Sequence, residues 1–426
     1  MESIHHVVIV GAGFGGLKAA RHLANAPLRV TVIDSRNHHL FQPLLYQAAT
    51  ASLAPSEIAW PIRSLLARYP NITTLLASTV GINGEKRTVL LDDGSEIAYD
   101  TLVLATGARH AYFGHDEWES IAPGLKTIED ATAIRSRVLD AFERAERTMD
   151  PAEHSRLLTF VIIGGGPTGV ELAGTIAELA HETLRHDFRN IDTRKARVVL
   201  VEAGPRLLPG FRESLSEYAQ RALTGLGVEI RLGHPVTECS ADGVKIDGQR
   251  LPAMTILWAA GVAASSAAEW LHVPSDRAGR IIVQPDLTVP GRPEVFAIGD
   301  TACIAMEDGK LVPGVAPAAK QAGRYVADAI KARLRGESPL PPFRYRDAGS
   351  LATIGKRAAI ADFGWIRFKG RLAWWLWGFA HIYFLIGLRH RLAVALSWLW
   401  IYLTGQRSAR LITQSEARRP TAGSGG

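Results

Sequence analysis

The chain has 426 residues, 47% of them hydrophobic, and a formal charge of +6, a length that allows two or three domains with well-buried cores. Both signs of charge interleave through most of the sequence and the basic surplus gathers near the C-terminus, a placement that favours a membrane surface over nucleic acid as partner. Cys239 and Cys303 are the only cysteines and form no CxxC pair, which excludes a disulfide framework, a dithiol redox centre and a four-thiolate metal site. In chain order, the first apolar strand begins within a few residues of Met1 with no secretory or transit pattern, so a cytoplasmic start is expected. The pairs His5-His6 and His38-His39 have no cysteine nearby and read as structural, so no metal site is expected.

That first strand, Val7-Val8-Ile9-Val10, runs into Gly11-Ala12-Gly13-Phe14-Gly15-Gly16, after which a helical pattern opens. In such a turn the first glycine allows the tight bend, the second lets the backbone approach a pyrophosphate, and the third lets helix and strand pack closely. The phosphate charge then rests on unpaired N–H groups at the helix N-terminus. A second strand, Val30-Thr31-Val32-Ile33-Asp34, ends in a carboxylate placed to accept from adenosine ribose hydroxyls, and Leu102-Val103-Leu104-Ala105-Thr106-Gly107 closes the unit. The same series then recurs. Phe160-Val161-Ile162-Ile163 leads into Gly164-Gly165-Gly166-Pro167-Thr168-Gly169, Val198–Val201 ends in Glu202, and Ile256-Leu257-Trp258-Ala259-Ala260-Gly261 closes the second copy. Gly107 lies 96 positions after Gly11, and Gly261 lies 97 after Gly164. The alternative is two unrelated buried strands with ordinary helix starts, but three matched features at nearly one spacing favour a duplicated dinucleotide-binding unit.

The first unit is expected to cover residues 1–113 and the second, inserted unit 114–274. The strand in Pro293-Glu294-Val295-Phe296-Ala297-Ile298-Gly299-Asp300 ends in a carboxylate that neither copy has used, so residues 275–335 should return to the first sheet. Glu337-Ser338-Pro339-Leu340-Pro341-Pro342 marks the next boundary, with a C-terminal region over 336–413 and a polar, glycine-rich, disordered tail over 414–426. Between Tyr345 and Asp362 the pattern suggests short strands.

Six of the ten tryptophans lie between Trp365 and Trp400, five of them within two apolar segments, Leu372–Leu388 and Leu392–Leu403, separated by Arg389-His390-Arg391. Two arginines at a bilayer centre would cost roughly 5–7 kcal/mol, which disfavours one continuous span. Tryptophan favours the headgroup level, and Arg367, Lys369, Arg371, Arg407 and Arg410 are expected to meet anionic lipid. A helix pair lying in one leaflet is the favoured reading; a buried helical hairpin or a dimer interface is the alternative.

If the first unit holds FAD, Asp300 reaches its ribityl hydroxyls and phosphates from the side opposite Gly11–Gly16. Glu202 repels a 2′-phosphate, which selects NADH over NADPH. Arg206 nearby is either a phosphate contact or a surface ion pair.

With these motifs in place, the sequence resembles the type II NADH:quinone oxidoreductases, single-subunit NADH dehydrogenases that pump no protons. The likeness rests on Gly11–Gly16, Phe41-Gln42-Pro43-Leu44-Leu45-Tyr46-Gln47, Gly164–Gly174, Ala297–Asp300, Gly349-Ser350-Leu351-Ala352-Thr353-Ile354-Gly355 and Trp374–Leu403. It implies an α/β fold of two Rossmann-like domains, as in glutathione reductase, with a C-terminal amphipathic helical membrane anchor. It implies non-covalent FAD at Gly11, Gly13, Phe14, Gly15, Gly16, Asp34, Thr106, Gly107, Asp300, Ala316 and Pro317, and NADH at Gly164, Gly166, Gly169, Glu171, Glu202 and Gly261. Ala316 and Pro317 open the helix near the flavin carbonyl edge. Many members have glutamine where this chain has Pro317, which leaves Gln321 as the matching quinone-side glutamine. Glu171 has two readings of equal standing, helix-dipole complement and proton handling.

The implied reaction is ping-pong: hydride from NADH to flavin, then two electrons to a quinone, ubiquinone or menaquinone. The resemblance also implies a homodimer and a peripheral protein on the cytoplasmic face of a bacterial inner membrane, binding no nucleic acid. Rival readings are a flavin reductase acting on a small iron–sulfur protein, which needs no anchor, and a membrane flavin sensor with negligible turnover. Sulfide:quinone and disulfide reductases need paired cysteines that this chain does not offer.

Overall fold

A computed structural model describes residues 4–413; the tail expected to be disordered, 414–426, lies outside the described residues. Strand His6–Val10 is buried along its whole length, because its Val and Ile side chains suit a parallel sheet covered on both faces. It sits inside a six-stranded sheet ordered Thr288–Val289, Arg292–Ala297, Thr101–Leu104, His6–Val10, Arg29–Asp34, Ile72–Leu76. All neighbours pair parallel except the first two, which form an antiparallel edge. Arg292–Ala297 therefore returns to the first sheet after a long excursion. Helices Phe14–His22 and Ala316–Leu334 press together on this sheet: a Cβ at Gly323 would fall 2.2 Å from the Gly15 carbonyl oxygen.

The second sheet repeats the device with four parallel strands, Val228–Leu232, Arg197–Glu202, Thr159–Ile163 and Thr255–Trp258. Each copy also carries a three-stranded antiparallel meander between its later strands, Thr79–Ala98 in the first and Val236–Pro252 in the second. Helix Ile128–Arg147 opens the second copy with a capping box between Thr127 and Asp130.

The chain divides into two compact units. One comprises residues 1–40, 59–109 and 262–348; the other comprises 41–58, 110–261 and 349–426. The proline-rich stretch Glu337–Pro342 thus lies inside the first unit, with the boundary following Ala348. Phe41–Ile58 and the C-terminal region from Gly349 onward join the second unit.

That region holds an antiparallel sheet of Ser350–Ile354, Ala358–Asp362 and Arg367–Lys369, then helices Gly370–Phe384 and Leu388–Thr404. The break between the helices falls at Leu385–Gly387, earlier than the Arg389-His390-Arg391 triplet expected from sequence. The physical cause is Gly387, which takes φ 80° and turns the chain. The triplet enters the second helix, where Arg391 donates to the carbonyls of Leu385 at 2.9 Å and Tyr383 at 2.8 Å and so caps the end of the first. Leu372, Trp375, Phe379 and Tyr383 on one helix, and Leu388, Leu392, Leu396, Leu399, Trp400 and Leu403 on the other, are exposed at helical spacing. Among the described residues no helix is long and apolar enough to cross a membrane.

Candidate active site

The two glycine turns have one geometry. Gly11 has φ 98° and Gly164 φ 111°, conformations that disfavour any side chain. A Cβ would fall 2.2 Å from the Ala105 carbonyl oxygen at Gly11 and 2.5 Å from the Ala259 carbonyl at Gly164. At Gly16 and Gly169 it would sit 1.8 Å from the carbonyl oxygen of Gly11 and Gly164 respectively, so helix and strand meet without room for a methyl. Gly13 and Gly166 differ from these: a Cβ at either meets nothing within 4 Å. Those faces open outward, where a pyrophosphate must approach. Both following helices, Phe14–His22 and Pro167–Glu178, start without a side-chain cap or a first-turn acid, which leaves their N–H groups available to an anion. The residues therefore fit a dinucleotide in each turn.

The carboxylates match as closely. Asp34 accepts from the Ala12 N–H at 2.6 Å and the Arg36 N–H at 2.8 Å. Glu202 accepts from Gly165 at 2.5 Å and Gly204 at 2.6 Å. Each is held at the mouth of its turn, where ribose hydroxyls would lie. Arg206 is committed elsewhere: it donates to the carbonyls of Pro209 and Phe211, both at 2.8 Å, rather than standing free for a 2′-phosphate.

Asp300 lies half-buried in a short turn, Gly299–Thr301, and no protein hydrogen bond engages its carboxylate among the described residues. Thr106 bonds to Ser265 at 2.5 Å and Thr301 at 3.1 Å, and the Gly107 N–H donates to the Thr301 hydroxyl at 2.9 Å. An acceptor left open beside a tied hydroxyl cluster suits polyol hydroxyls such as those of the FAD ribityl chain.

In the second unit, helix Pro167–Glu178 carries Glu171 inward toward strand Ser350–Ile354. The residue keeps partial accessibility, yet its carboxyl is enclosed enough that burial pushes it up to about 8, against the main-chain N–H of Thr353, which supports the ionised form. Beside it lies Tyr46, buried, whose hydroxyl meets Thr353 Oγ1 at 2.9 Å and accepts from Gln47 Nε2 at 2.9 Å. Burial, reinforced by the Glu171 charge, raises the Tyr46 phenol and keeps it neutral. Gln47 Oε1 in turn accepts from the indole N–H of Trp398 at 2.7 Å.

Residues 5–323 match the pyridine nucleotide-disulphide oxidoreductase family, and residues 348–407 match the NDH2 C-terminal domain. The chain is similar to the type II NADH:quinone oxidoreductase Ndh of Mycobacterium tuberculosis, 44% identical over 97% of this chain and 91% of the relative. The chain belongs to the type II NADH:quinone oxidoreductase family. An internal alternative NAD(P)H-ubiquinone oxidoreductase of Arabidopsis thaliana mitochondria is 30% identical over 95% of this chain and 85% of that one. Among solved structures, NDH2 of Plasmodium falciparum in complex with NADH has the same fold, with a TM-score of 0.88 at 20% identity, covering 95% of this chain and 99% of that one.

Against that family background, the remaining expected positions fall as follows. Ala316 and Pro317 open the helix Ala316–Leu334, whose N-terminus has no side-chain cap and accommodates proline in its first turn. The Gln321 amide is used at both ends by one neighbour, donating to the Arg346 carbonyl at 2.8 Å and accepting from the Arg346 N–H at 3.0 Å. Gly261 makes room for the Phe113 ring, which a Cβ would strike at 2.4 Å.

Arg407 corrects an expectation. It does not face lipid but is 3% exposed, donating to the carbonyls of Thr50 at 2.8 Å and Thr175 at 3.0 Å and pairing with buried Glu178 at 3.5 Å. Arg410 pairs with Asp187. Trp377, 1% exposed, is likewise core rather than headgroup-facing. Sequence reasoning gave no individual role to Tyr46, Gln47, Thr353 or Trp398. All four lay inside the motifs that carried the resemblance, but nothing in an apolar tryptophan-rich helix marked one indole N–H as inward.

Proposed function

We propose that the chain oxidises NADH and delivers the two electrons, through FAD, to a quinone dissolved in the membrane, without moving protons across it. The observation that supports a lipid-dissolved acceptor is the set of exposed apolar side chains between Leu372 and Leu403 on the two C-terminal helices, in a chain with two nucleotide cradles. FAD, when bound, accepts a hydride from NADH and returns the electrons to the acceptor. Everything else is positioning. Gly13 and Gly166 admit the pyrophosphates, Asp34 and Glu202 take the riboses, and Asp300 takes the FAD polyol, with Thr106 and Gly107 fixing the turn beneath it.

Quinone reduction takes up two protons with the two electrons, and this is where Glu171 belongs. Held near 8, its carboxyl keeps a proton at neutral pH that it can give to a reduced quinone. The main-chain N–H of Thr353 holds the group in place. Gln321 serves on the quinone side through the loop it fixes at Arg346. The paired helices lie in one leaflet, on the cytoplasmic face of a bacterial inner membrane, and the enzyme is a homodimer.

The deciding experiment is steady-state turnover of the FAD-loaded protein with NADH or NADPH and short-chain ubiquinone and menaquinone analogues, with and without lipid vesicles. NADH-driven quinone reduction at enzymatic rates, favoured over NADPH, is expected. Reduction of an iron–sulfur protein with no turnover of either quinone overturns the reading.

A further inference from the structure

The hydrogen-bond chain beside Glu171 has a direction that side-chain chemistry alone dictates. An indole N–H can only donate, so Trp398 forces Gln47 to present its oxygen, at 2.7 Å. The Gln47 nitrogen must then point to the Tyr46 hydroxyl oxygen, at 2.9 Å. Tyr46, having accepted from Gln47, has Thr353 Oγ1, at 2.9 Å, as the partner left for its single hydroxyl hydrogen. The Thr353 hydroxyl hydrogen is left as the terminal donor of the chain, on the residue whose N–H already supports the Glu171 carboxylate.

We propose that Trp398 is a positioning residue for quinone reduction: its indole N–H orients the Gln47 amide, and through it sets the direction in which the Tyr46 and Thr353 hydroxyls donate beside Glu171. Trp398 sits on the helix Leu388–Thr404, whose outer stripe is apolar and whose inner face also places Ser397 on Glu57 at 2.8 Å. Its ring packs on Trp377, centroids 5.0 Å apart, above Gly378. One side chain thereby links the seating of that helix to the group that handles protons. Without the indole donor the Gln47 amide is free to turn over. Tyr46 then donates to the Gln47 oxygen, the Thr353 hydroxyl donates to Tyr46, and the donor is withdrawn from the Glu171 side.

The charged and titratable groups around Glu171 do not carry this effect themselves. Tyr46 is the titratable group on helix Leu45–Ala49, and strand Ser350–Ile354 supplies only Thr353. Glu178, two turns along from Glu171, is paired with Arg407 and accepts from the Lys356 N–H at 2.7 Å, and Lys356 pairs with Glu182.

The inference rests on the assignment of proton handling to Glu171, and the test separates the two. In the full-length FAD-loaded protein in lipid vesicles, Trp398→Phe keeps the ring and removes only the donor. Flavin reduction by NADH, followed by the loss of flavin absorbance, should keep its rate. Reoxidation by a short-chain quinone should slow roughly 3- to 10-fold, the worth of one neutral hydrogen bond, and the ionisation in its pH profile should move upward. Gln47→Leu should do the same from the other end of the contact and stands in if Trp398→Phe does not fold. In a Glu171→Gln background neither change should move the profile further. If Glu171→Gln removes the ionisation while Trp398→Phe and Gln47→Leu leave it in place, the positioning role is overturned alone. If Glu171→Gln leaves the profile intact, the assignment to Glu171 fails with it.

Discussion

Glu202 and Glu171 are both acidic, yet their surroundings differ: one is tied by main-chain donors at a turn, the other is pushed up by burial. Glu202 accepts two main-chain N–H groups at the mouth of its turn, and in the proposed function it stands against a 2′-phosphate. Glu202→Ala should therefore narrow the preference for NADH over NADPH by roughly 10-fold, about 1.4 kcal/mol; an unchanged ratio of kcat/KM removes Glu202 from the ribose site. Glu171 is raised by burial to about 8, so the folded chain holds a proton there that the unfolded chain loses near its ordinary carboxyl pKa. Stability should fall as pH rises from about 4.5 toward 8, by at most about 1.4 kcal/mol per unit for this one group. Thermal melts across that window should flatten in Glu171→Gln. Arg407 is buried with Glu178, whose carboxyl burial also pushes up. Removing the arginine as Arg407→Ala leaves a buried acid without its cation and should destabilise the protein by about 3–5 kcal/mol. The loss should shrink at acid pH, where Glu178 takes up a proton, and a melting temperature insensitive to both the change and pH would contradict the assignment.

At the scale of elements, the two glycine turns, their carboxylate-ended strands and Arg292–Ala297 were legible from sequence, because each has its own local requirement for glycine, for β-branched residues or for an acid. The C-terminal helices were legible as apolar and tryptophan-rich but not in their inner detail. Helical spacing cannot distinguish Trp377 and Trp398, turned inward, from Trp375 and Trp400, turned outward, when both faces are apolar. The helix break was misplaced because a charge triplet looked like the interruption, whereas the chain turns at Gly387 and uses Arg391 as a cap. Arg407 escaped for a related reason: its partners Thr50, Thr175 and Glu178 are distant in sequence. The exposed stripe makes its own prediction. Changing Leu396, Leu399 and Leu403 together to Gln should weaken binding to lipid vesicles about 100-fold or more, since each buried leucine contributes about 1.5–3 kcal/mol. Cosedimentation unchanged from the parent protein would show that another surface holds the membrane.

For the whole molecule, two copies of one supersecondary unit account for most of the chain, and family membership accounts for their pairing with a C-terminal domain. The duplication is close enough that the turns are interchangeable in outline: the same glycine conformations, the same uncapped helix starts, carboxylates tied by the same pair of main-chain donors. Yet one nucleotide remains through every cycle while the other must come and go. Equal grips cannot yield such unequal lifetimes. Tenure must be decided by what surrounds each grip: open Asp300 and the Thr106–Ser265–Thr301 cluster on one side, Gly261 and the Phe113 ring on the other.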